Sequence, residues 1–129
     1  MFVLLSSWIL VSCSGSAKSG GSGDVEMTAS QSFSPESVTI SVGESVTWSN
    51  SSTEQHTVTA EEDSLPGGAT YFSSGGASTE EAANDELGDA LIAPGGTFTH
   101  TFDEPGTYRY YCIPHRDAGM TGTVVVTAD

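Results

Sequence analysis

The amino-acid sequence predicts an all-β fold, a Greek-key β-sandwich or barrel of about seven or eight short strands, with one short surface helix in a long acidic loop. Two observations lead to this prediction. Apolar and polar residues alternate over short segments, whereas helical periodicity is scarce. Glycine and proline separate these segments, as expected of tight turns. With 129 residues, the chain is long enough for one domain with a modest core.

Alternating side chains place the predicted strands along the chain. Val38, Ile40 and Val42 share one face of the first strand, and Tyr108 and Tyr110 share one face of a later one. Turn residues such as the Pro-Gly pair before the later strand mark where each segment ends. The predicted strands are SVTISV (37–42), SVTWSN (45–50), HTVTAE (56–61), GTFTHTF (96–102), TYRYYC (107–112) and GTVVVTA (122–128).

Residues 62–95 interrupt this pattern with a long, acidic stretch that is rich in glycine and serine. Within it, STEEAANDELG (78–88) predicts a short surface helix, because Ser78 and Glu81 form a capping box and Gly88 can end the helix. A loop this long in a small domain is usually functional or disordered, and disorder of its first half is the alternative.

The chain is strongly acidic, with 17 Asp and Glu against 3 Lys and Arg and a formal net charge of −14. Nucleic acid is excluded as a partner, because phosphate binding needs a basic surface. Two explanations of the charge stay open and are compatible. One is a solvating acidic coat in very salty surroundings, where salt screens the self-repulsion. The other is an acidic docking surface for a basic partner.

The N-terminus begins with an apolar run, residues 1–12, that ends at Cys13. A membrane-spanning helix needs about 20 apolar residues, so the run is too short for one, but it has the length of the hydrophobic part of a signal peptide. LVSC at 10–13 is similar to a lipobox, whose cysteine is acylated and becomes the mature N-terminus, although the usual preceding basic residues are missing. The alternative is a buried first strand.

Residues 13–24 are rich in glycine and serine and predict a flexible tether. Together with an acylated Cys13, such a tether would anchor a domain at 25–129 to the outer face of the cell membrane. Because Cys13 and Cys112 each have a local explanation, we expect no disulfide between them.

Three soft or borderline donors follow the last aromatic strand in the spacing C-x-x-H-x-x-x-x-M, namely Cys112, His115 and Met120. A thiolate, an imidazole and a thioether favour copper over calcium, magnesium or manganese, which prefer oxygen. A structural zinc site normally has four Cys or His ligands. A binuclear copper site would need a second thiolate in this loop. The sequence therefore predicts a site for a single copper ion.

A trigonal copper site of this kind needs a second histidine, and only His56 and His100 remain. His56 follows the polar stretch NSSTEQ at a strand end, where it can meet a second loop at one pole of a sandwich. His100 lies in the middle of a strand, so we expect it to be a surface histidine or one satisfied by its neighbours. Asn50 within the polar stretch also fits a glycosylation acceptor.

At this point the chain resembles the small blue copper proteins, the plastocyanin-like cupredoxin family, and within it the halocyanins of halophilic archaea. The similarity covers roughly residues 33–127 and is carried by GTYRYYCIPHRDAGMTGTVVV (106–126), SVTISVGESVTWSN (37–50) with His56, and APGGTFTHTFDEPG (93–106). The resemblance implies one type 1 copper ion and one-electron transfer without enzymatic activity. The ligands that it implies are His56, Cys112, His115 and Met120.

The resemblance also suggests roles for neighbouring residues. The plastocyanin pattern has Asn directly after the upstream histidine, whereas this chain has Thr57, whose hydroxyl would replace the amide as a tie between loops. Pro114 lacks an N–H and so leaves the thiolate electron-rich. His115 is the expected electron port, and Tyr111 beside Cys112 is either a second route or a packing aromatic.

The expected protein is therefore a monomeric, membrane-tethered carrier between a redox donor and an acceptor in an electron-transfer chain. Copper storage or delivery is the alternative function, but such proteins favour open, exchangeable Met-rich or Cys-rich sites. A metal-free interaction domain of the same fold is a further alternative, which the complete ligand set disfavours.

Overall fold

The computed structural model describes residues 22–129 as a β-sandwich, which confirms the predicted fold class. Eight strands form two sheets of four strands each. The strands are β1 (Ser22–Met27), β2 (Phe33–Ser34), β3 (Ser37–Ser41), β4 (Ser45–Asn50), β5 (Thr59–Ala60), β6 (Thr97–Thr101), β7 (Gly106–Tyr111) and β8 (Thr121–Thr127).

One sheet has the order β2-β1-β4-β6, and the other has the order β3-β8-β7-β5. Most neighbouring strands are antiparallel, but β1 runs parallel to β4 and β3 runs parallel to β8. The central strands β4 and β7 therefore belong to opposite sheets. The segments that leave their C-terminal ends carry His56 and Cys112, which the structure brings together at one pole of the sandwich.

Aromatic residues fill the space between the sheets. Trp48 is fully buried, and its ring meets Tyr110 edge-on at a centroid distance of 5.3 Å and Phe98 at 5.6 Å. Tyr110 in turn meets Phe33 edge-on at 4.7 Å. Edge-to-face aromatic pairs stabilise a fold beyond the effect of the apolar area that they bury. This cluster therefore holds the two sheets together around one core.

Two apolar side chains depart from the predicted strand faces. Ile40 is buried, but Val38 is only partly buried and Val42 is 38% exposed. Val42 lies just beyond β3, where the chain enters a turn at Gly43 with a φ of +88°. The alternation correctly predicts the burial of Ile40 and, in part, of Val38. Val42 is exposed because the strand ends before it.

The first half of the acidic segment packs against the sandwich. Phe72 is buried in the core, and its carbonyl accepts a hydrogen bond from the Ala60 amide at 3.1 Å. A 3₁₀ turn at Glu62–Ser64 follows β5 directly. The segment is therefore an integral part of the fold, and the disorder considered for its first half is not what the structure describes.

The predicted single helix is instead two short ones, α1 (Glu80–Asp85) and α2 (Leu87–Ala90), so Gly88 does not end the helical region. Thr79, not Ser78, caps α1, and its hydroxyl accepts from the Ala82 amide at 3.1 Å. The predicted capping box was therefore wrong by one residue.

A tertiary tie explains the start of α1. The Glu62 carboxylate accepts from the Glu80 amide at 3.1 Å, and the Glu80 carboxylate accepts from the Glu62 amide at 2.9 Å. These two bonds hold the first residue of α1 against the 3₁₀ turn. No local sequence pattern contains this pairing, because its partners are 18 residues apart.

The predicted signal-like segment 1–12, Cys13 and most of the tether 13–24 lie outside the described residues. The first strand begins at Ser22, three residues before the predicted domain start at 25. Among residues 22–129, no helix is both long enough and apolar enough to cross a bilayer.

His100 in β6 lies away from the site pole and packs among aromatic rings. Its imidazole stacks on Phe72 at a centroid distance of 4.6 Å and meets Phe102 edge-on at 4.8 Å. Burial lowers the pKa of His100 below its ordinary value of 6.5, and the nearby Asp103 carboxylate opposes this effect. The folded protein therefore favours the neutral imidazole.

A pH dependence of stability follows from this. Unfolded His100 binds a proton more readily than folded His100, so its contribution is complete above about pH 6.5 and is lost as the pH falls towards the lower folded pKa. We expect the free energy of unfolding of wild type to fall more between about pH 7 and about pH 5 than that of His100→Phe, which keeps a ring but cannot titrate. Denaturant titrations at several pH values measure the free energy of unfolding of wild type and of His100→Phe. Identical pH profiles would contradict this role of His100.

Candidate metal centre

Three of the four predicted ligands converge in the structure. His56 precedes β5, whereas Cys112 and His115 follow β7 directly, so two loops from different parts of the chain meet. The Nδ1 atoms of the two histidines are 3.1 Å apart. The Cys112 Sγ atom lies 3.6 Å from Nδ1 of His56 and 3.4 Å from Nδ1 of His115. Among residues 22–129, this is the one group of Cys, His and acidic side chains close enough to hold a metal ion.

The triangle formed by these donor atoms fits a metal ion. The centre of a triangle with edges of 3.1, 3.4 and 3.6 Å lies about 2 Å from each corner, close to the usual bond lengths of about 2.0 to 2.3 Å from a transition metal to imidazole nitrogen and thiolate sulfur. His56 and Cys112 are fully buried, and the His115 side chain is 16% exposed. His115 is therefore the one of these three side chains that reaches solvent.

Met120 closes the loop that carries Cys112 and His115. Its carbonyl accepts from the Cys112 amide at 3.0 Å, and its own amide donates to the His115 carbonyl at 3.2 Å. Gly119 permits this closure with a φ of +84°, a left-handed conformation that favours glycine. Met120 itself is fully buried. Met120 is thus a buried residue whose backbone is hydrogen-bonded to both Cys112 and His115.

The hydrogen bonds around His56 favour one tautomer of its ring. Nε2 of His56 lies 2.9 Å from Oγ of Ser52, whose hydroxyl donates to the Asn50 side-chain oxygen at 2.7 Å. With its one hydrogen directed at Asn50 or at the nearby Glu54 carbonyl, the Ser52 oxygen accepts from Nε2 of His56. This tautomer has the proton on Nε2 and leaves the lone pair of Nδ1 on the side of Cys112. A partner on the outer nitrogen is the usual way in which proteins orient a metal-binding histidine.

Asn50 fixes the turn that contains these residues. Its amide nitrogen donates to the carbonyls of Glu54 at 2.7 Å and Ile92 at 2.9 Å, while its oxygen accepts from the Ser52 amide. Only 2% of Asn50 is exposed, so the glycosylation acceptor considered from the sequence is inaccessible in the folded chain. Asn50, Ser52 and Glu54 were not predicted as residues of the metal centre. The signal was the dense polar run directly before His56.

Thr57 ties the two loops together. Its backbone amide points at the Cys112 sulfur at 3.4 Å, and its hydroxyl accepts from the Ile113 amide at 2.8 Å. Burial raises the pKa of the Cys112 thiol, while hydrogen bonds from Thr57 and His115 favour the thiolate. A bound cation would favour the thiolate further, because a coordinating thiol is deprotonated.

Replacing the Thr57 hydroxyl by a methyl group should therefore loosen the site. Thr57→Val leaves the Ile113 amide and the Thr59 hydroxyl without their partner, and such losses cost about 1 to 3 kcal/mol. We expect a lower free energy of unfolding by that amount in denaturant titrations. Thr53→Val is the matched control, because Thr53 is exposed. Equal stabilities of the two variants would argue against the tie.

The surface around His115 is a shallow bowl that combines apolar and polar residues. One side of the bowl is apolar and consists of Pro114 from the ligand loop, Leu87 from α2 and Leu91 just after it. The opposite rim is formed by residues 53–55. The Glu54 carboxylate lies 3.5 Å from Nε2 of His115. The surface beside His115 thus combines apolar residues of the ligand loop and of the acidic segment, and it has a carboxylate at its edge.

Tyr111 is buried beneath other residues, with 1% of its surface exposed. The Arg116 guanidinium covers its ring at 4.0 Å, and its hydroxyl donates to the Glu80 carboxylate at 2.8 Å. Arg116 also lies 3.7 Å from the Glu61 carboxylate. Tyr111 thus fills the packing role considered for it and helps to join the ligand loop to α1. His100 is not brought to the metal centre.

Comparisons with known proteins agree with this geometry. Residues 21–127 match the family profile described as copper binding proteins, plastocyanin/azurin family. Plastocyanin of Scenedesmus fuscus is 44% identical over 94 residues, which cover 73% of this chain and 85% of that protein. Plastocyanin of Solanum crispum is 40% identical over 94 residues, covering 73% and 86%.

Solved structures show the same architecture. Oxidised plastocyanin from Dryopteris crassirhizoma superimposes with a TM-score of 0.58 at 26% identity, covering 81% of this chain and 100% of that one. Pseudoazurin from Methylobacterium extorquens has a TM-score of 0.60 at 24% identity, covering 84% and 76%. At that identity the pseudoazurin supports the fold alone.

Proposed function

The chain belongs to the plastocyanin/azurin family of copper-binding proteins, and from this premise we propose that it is a membrane-tethered electron carrier of the halocyanin type. It is a blue copper electron carrier rather than an enzyme, with one type 1 copper ion as its cofactor. In the proposal, two imidazoles and two sulfur atoms hold this ion. The ligands are His56, Cys112, His115 and Met120. The convergence of three donor atoms at distances of 3.1 to 3.6 Å is the observation that carries the proposal.

Copper bound there supplies one-electron chemistry by alternating between Cu(I) and Cu(II). The chain keeps the ligands in place during the exchange. The Ser52 hydroxyl holds the His56 ring, and the Thr57 amide and hydroxyl hold the Cys112 loop. Because both loops are tied by buried hydrogen bonds, the donors need little movement when the charge changes. Small rearrangement favours fast electron transfer.

His115 is the proposed electron port, because it is the most exposed of the four ligands. The bowl of Pro114, Leu87 and Leu91 around it offers an apolar surface for a redox partner. Weak redox encounters use small interfaces, which allow a carrier to leave its donor quickly and reach its acceptor. The proposed partners are a donor and an acceptor protein of a membrane electron-transfer chain, and the carrier acts as a monomer.

The tether is proposed from the N-terminal sequence. Removal of residues 1–12, acylation of Cys13 and the Gly/Ser-rich stretch 13–24 would keep the carrier at the outer face of the membrane, with the freedom to reach both partners. Mass spectrometry of the native protein tests this directly. The expected species begins at Cys13 and carries lipid, whereas an unmodified Cys13 within a longer chain would contradict the anchor.

Voltammetry and copper exchange together test electron transfer against copper delivery. The copper-loaded protein should give a reversible one-electron wave and retain its ion in the presence of a competing Cu(I) chelator. Rapid loss of copper to the chelator, without a reversible wave, would instead support storage or delivery.

Pro114 is proposed to keep the thiolate electron-rich, since it cannot donate an N–H to Cys112. Pro114→Ala supplies an additional backbone N–H donor, which would draw charge from the sulfur and favour Cu(I) over Cu(II). We expect the reduction potential measured by redox titration to rise. Pro105→Ala in the turn before β7 is the control and should leave it unchanged. A potential of Pro114→Ala at or below the wild-type value would reject this role.

A further inference from the structure

Glu54 occupies an unusual place at the rim of the metal centre. Its Oε2 atom lies 3.5 Å from Nε2 of His115, the nitrogen that faces away from Cys112. The same oxygen accepts a hydrogen bond from the Gln31 side chain at 3.3 Å. Among residues 22–129, neither Lys nor Arg forms an ion pair with this carboxylate, since the ion pairs of Arg116 go to Glu61 and Glu80. The His115 ring is therefore the one titratable side chain that it pairs with there.

The backbone of Glu54 is held firmly, although its side chain is 46% exposed. Its amide donates to the Ser52 hydroxyl at 3.1 Å, and its carbonyl accepts from the Asn50 side chain at 2.7 Å. Ser52 also holds the outer nitrogen of His56. One turn, residues 50–56, thus places an oxygen beside the outer nitrogen of each histidine. The buried histidine receives a neutral hydroxyl, and the solvent-side histidine receives a carboxylate.

We propose that Glu54 is a positioning residue for His115, whose Nε2–H donates to the carboxylate when Nδ1 binds copper. A carboxylate on the outer nitrogen of a metal-binding histidine fixes the ring and makes the imidazole a stronger electron donor. The inference rests on the proposed function, since it assigns a role towards the same copper ion. It deepens that function by giving the exposed ligand a charged partner that the buried ligand lacks.

The charge of Glu54 should bias the two oxidation states. A nearby negative charge stabilises Cu(II) more than Cu(I), and the stronger imidazole donor acts in the same direction. The electron exchanged would be that of the bound copper ion alone, since the Glu54 carboxylate takes no part in the electron transfer. Its effect is therefore a lower reduction potential and a more firmly oriented port ring.

The reduction potential of Glu54→Gln tests this. The substitution removes the charge but keeps the size of the side chain and an acceptor oxygen. We expect the Cu(II)/Cu(I) equilibrium to shift towards Cu(I) by up to about tenfold, a rise of about 59 mV for one electron. Glu44→Gln is the matched control, because it removes the same charge at the residue just before β4, at the end of that strand remote from His56. Equal shifts in the two variants would overturn the proposal.

A second measurement separates positioning from charge alone. In the diamagnetic Cu(I) protein, the His115 Nε2–H proton should exchange with solvent more slowly in wild type than in Glu54→Ala. Unchanged exchange would reject the hydrogen bond. Failure of the proposed function looks different, because wild type loaded with Cu(II) would then be colourless. A blue wild type with equal potentials for Glu54→Gln and Glu44→Gln would overturn only the role of Glu54.

Discussion

Cys112→Ser is expected to abolish the intense blue absorption of the protein loaded with Cu(II). The colour of such sites depends on the bond between copper and a thiolate, and Cys112 is the one cysteine among residues 22–129. Serine keeps the size of the side chain but offers a hydroxyl, which is a hard and weakly acidic donor. Visible absorption spectroscopy at equal copper content measures the effect. A large loss of copper affinity should accompany it, because one of the three converging donor atoms is removed.

Cys13→Ser is the matched control for this experiment. It removes the other cysteine of the chain, which the sequence assigns to the lipid anchor. The blue absorption should survive in Cys13→Ser and disappear in Cys112→Ser. If Cys112→Ser stayed intensely blue, the thiolate could not be a ligand, and the proposed copper site would have to be abandoned.

Trp48→Ala is expected to cause the largest loss of stability that we predict for the fold. The side chain is fully buried at the centre of β4, between Phe98 and Tyr110. Truncating a buried Trp removes its transfer free energy and leaves a cavity, which costs about 3 to 5 kcal/mol. Denaturant titration of the purified protein measures the free energy of unfolding.

Trp48→Phe is the control, because it keeps an aromatic ring at this position but removes the indole nitrogen. Phenylalanine keeps much of the ring contact and also removes the indole N–H, which has no hydrogen-bond partner among residues 22–129. We expect the loss in Trp48→Phe to be well below that in Trp48→Ala. A cost of Trp48→Ala under about 1 kcal/mol would mean that this residue does not join the two sheets.

The strands were predictable because each one carries its own signal. Alternating residues such as Val46 and Trp48 in β4 and Tyr108 and Tyr110 in β7 show a period of two, and each of these residues is buried in the structure. Val42 departs from the pattern because an edge strand ends before it. Periodicity predicts which face of the sheet a residue lies on, but not the residue at which the strand ends.

In the helical region, too, the local sequence predicted the type of element but not its exact ends. Its acidic composition and capping residues predicted a helix near residues 78–88, but Thr79 rather than Ser78 caps it. The bonds between Glu62 and Glu80 select the start, and these partners lie in separate elements. Local residue preference therefore located the N-terminal cap to within one residue, but it predicted neither the break into two helices nor their end at Ala90.

The metal centre was predictable only in its residue types. Cys112, His115 and Met120 lie in one short loop, so their spacing already indicates soft-metal chemistry. The choice of His56 over His100 needed the further argument that a strand end reaches the pole of a sandwich. Thr57 was flagged because its position departs from the plastocyanin pattern.

The sequence by itself determined the period-two strands, the acidic charge and the set of soft donors, because each depends on the identity or spacing of nearby residues. Only the tertiary structure decided that Ser52 holds His56 and that Glu54 lies beside His115. It also decided that Arg116 covers Tyr111. The contact between Glu54 and His115 joins segments far apart in the chain. The contact between Ser52 and His56 depends on a turn that Asn50 anchors to Ile92, and the contact between Arg116 and Tyr111 depends on the folding of the ligand loop. Such geometry arises when the two sheets pack, and no local pattern encodes it.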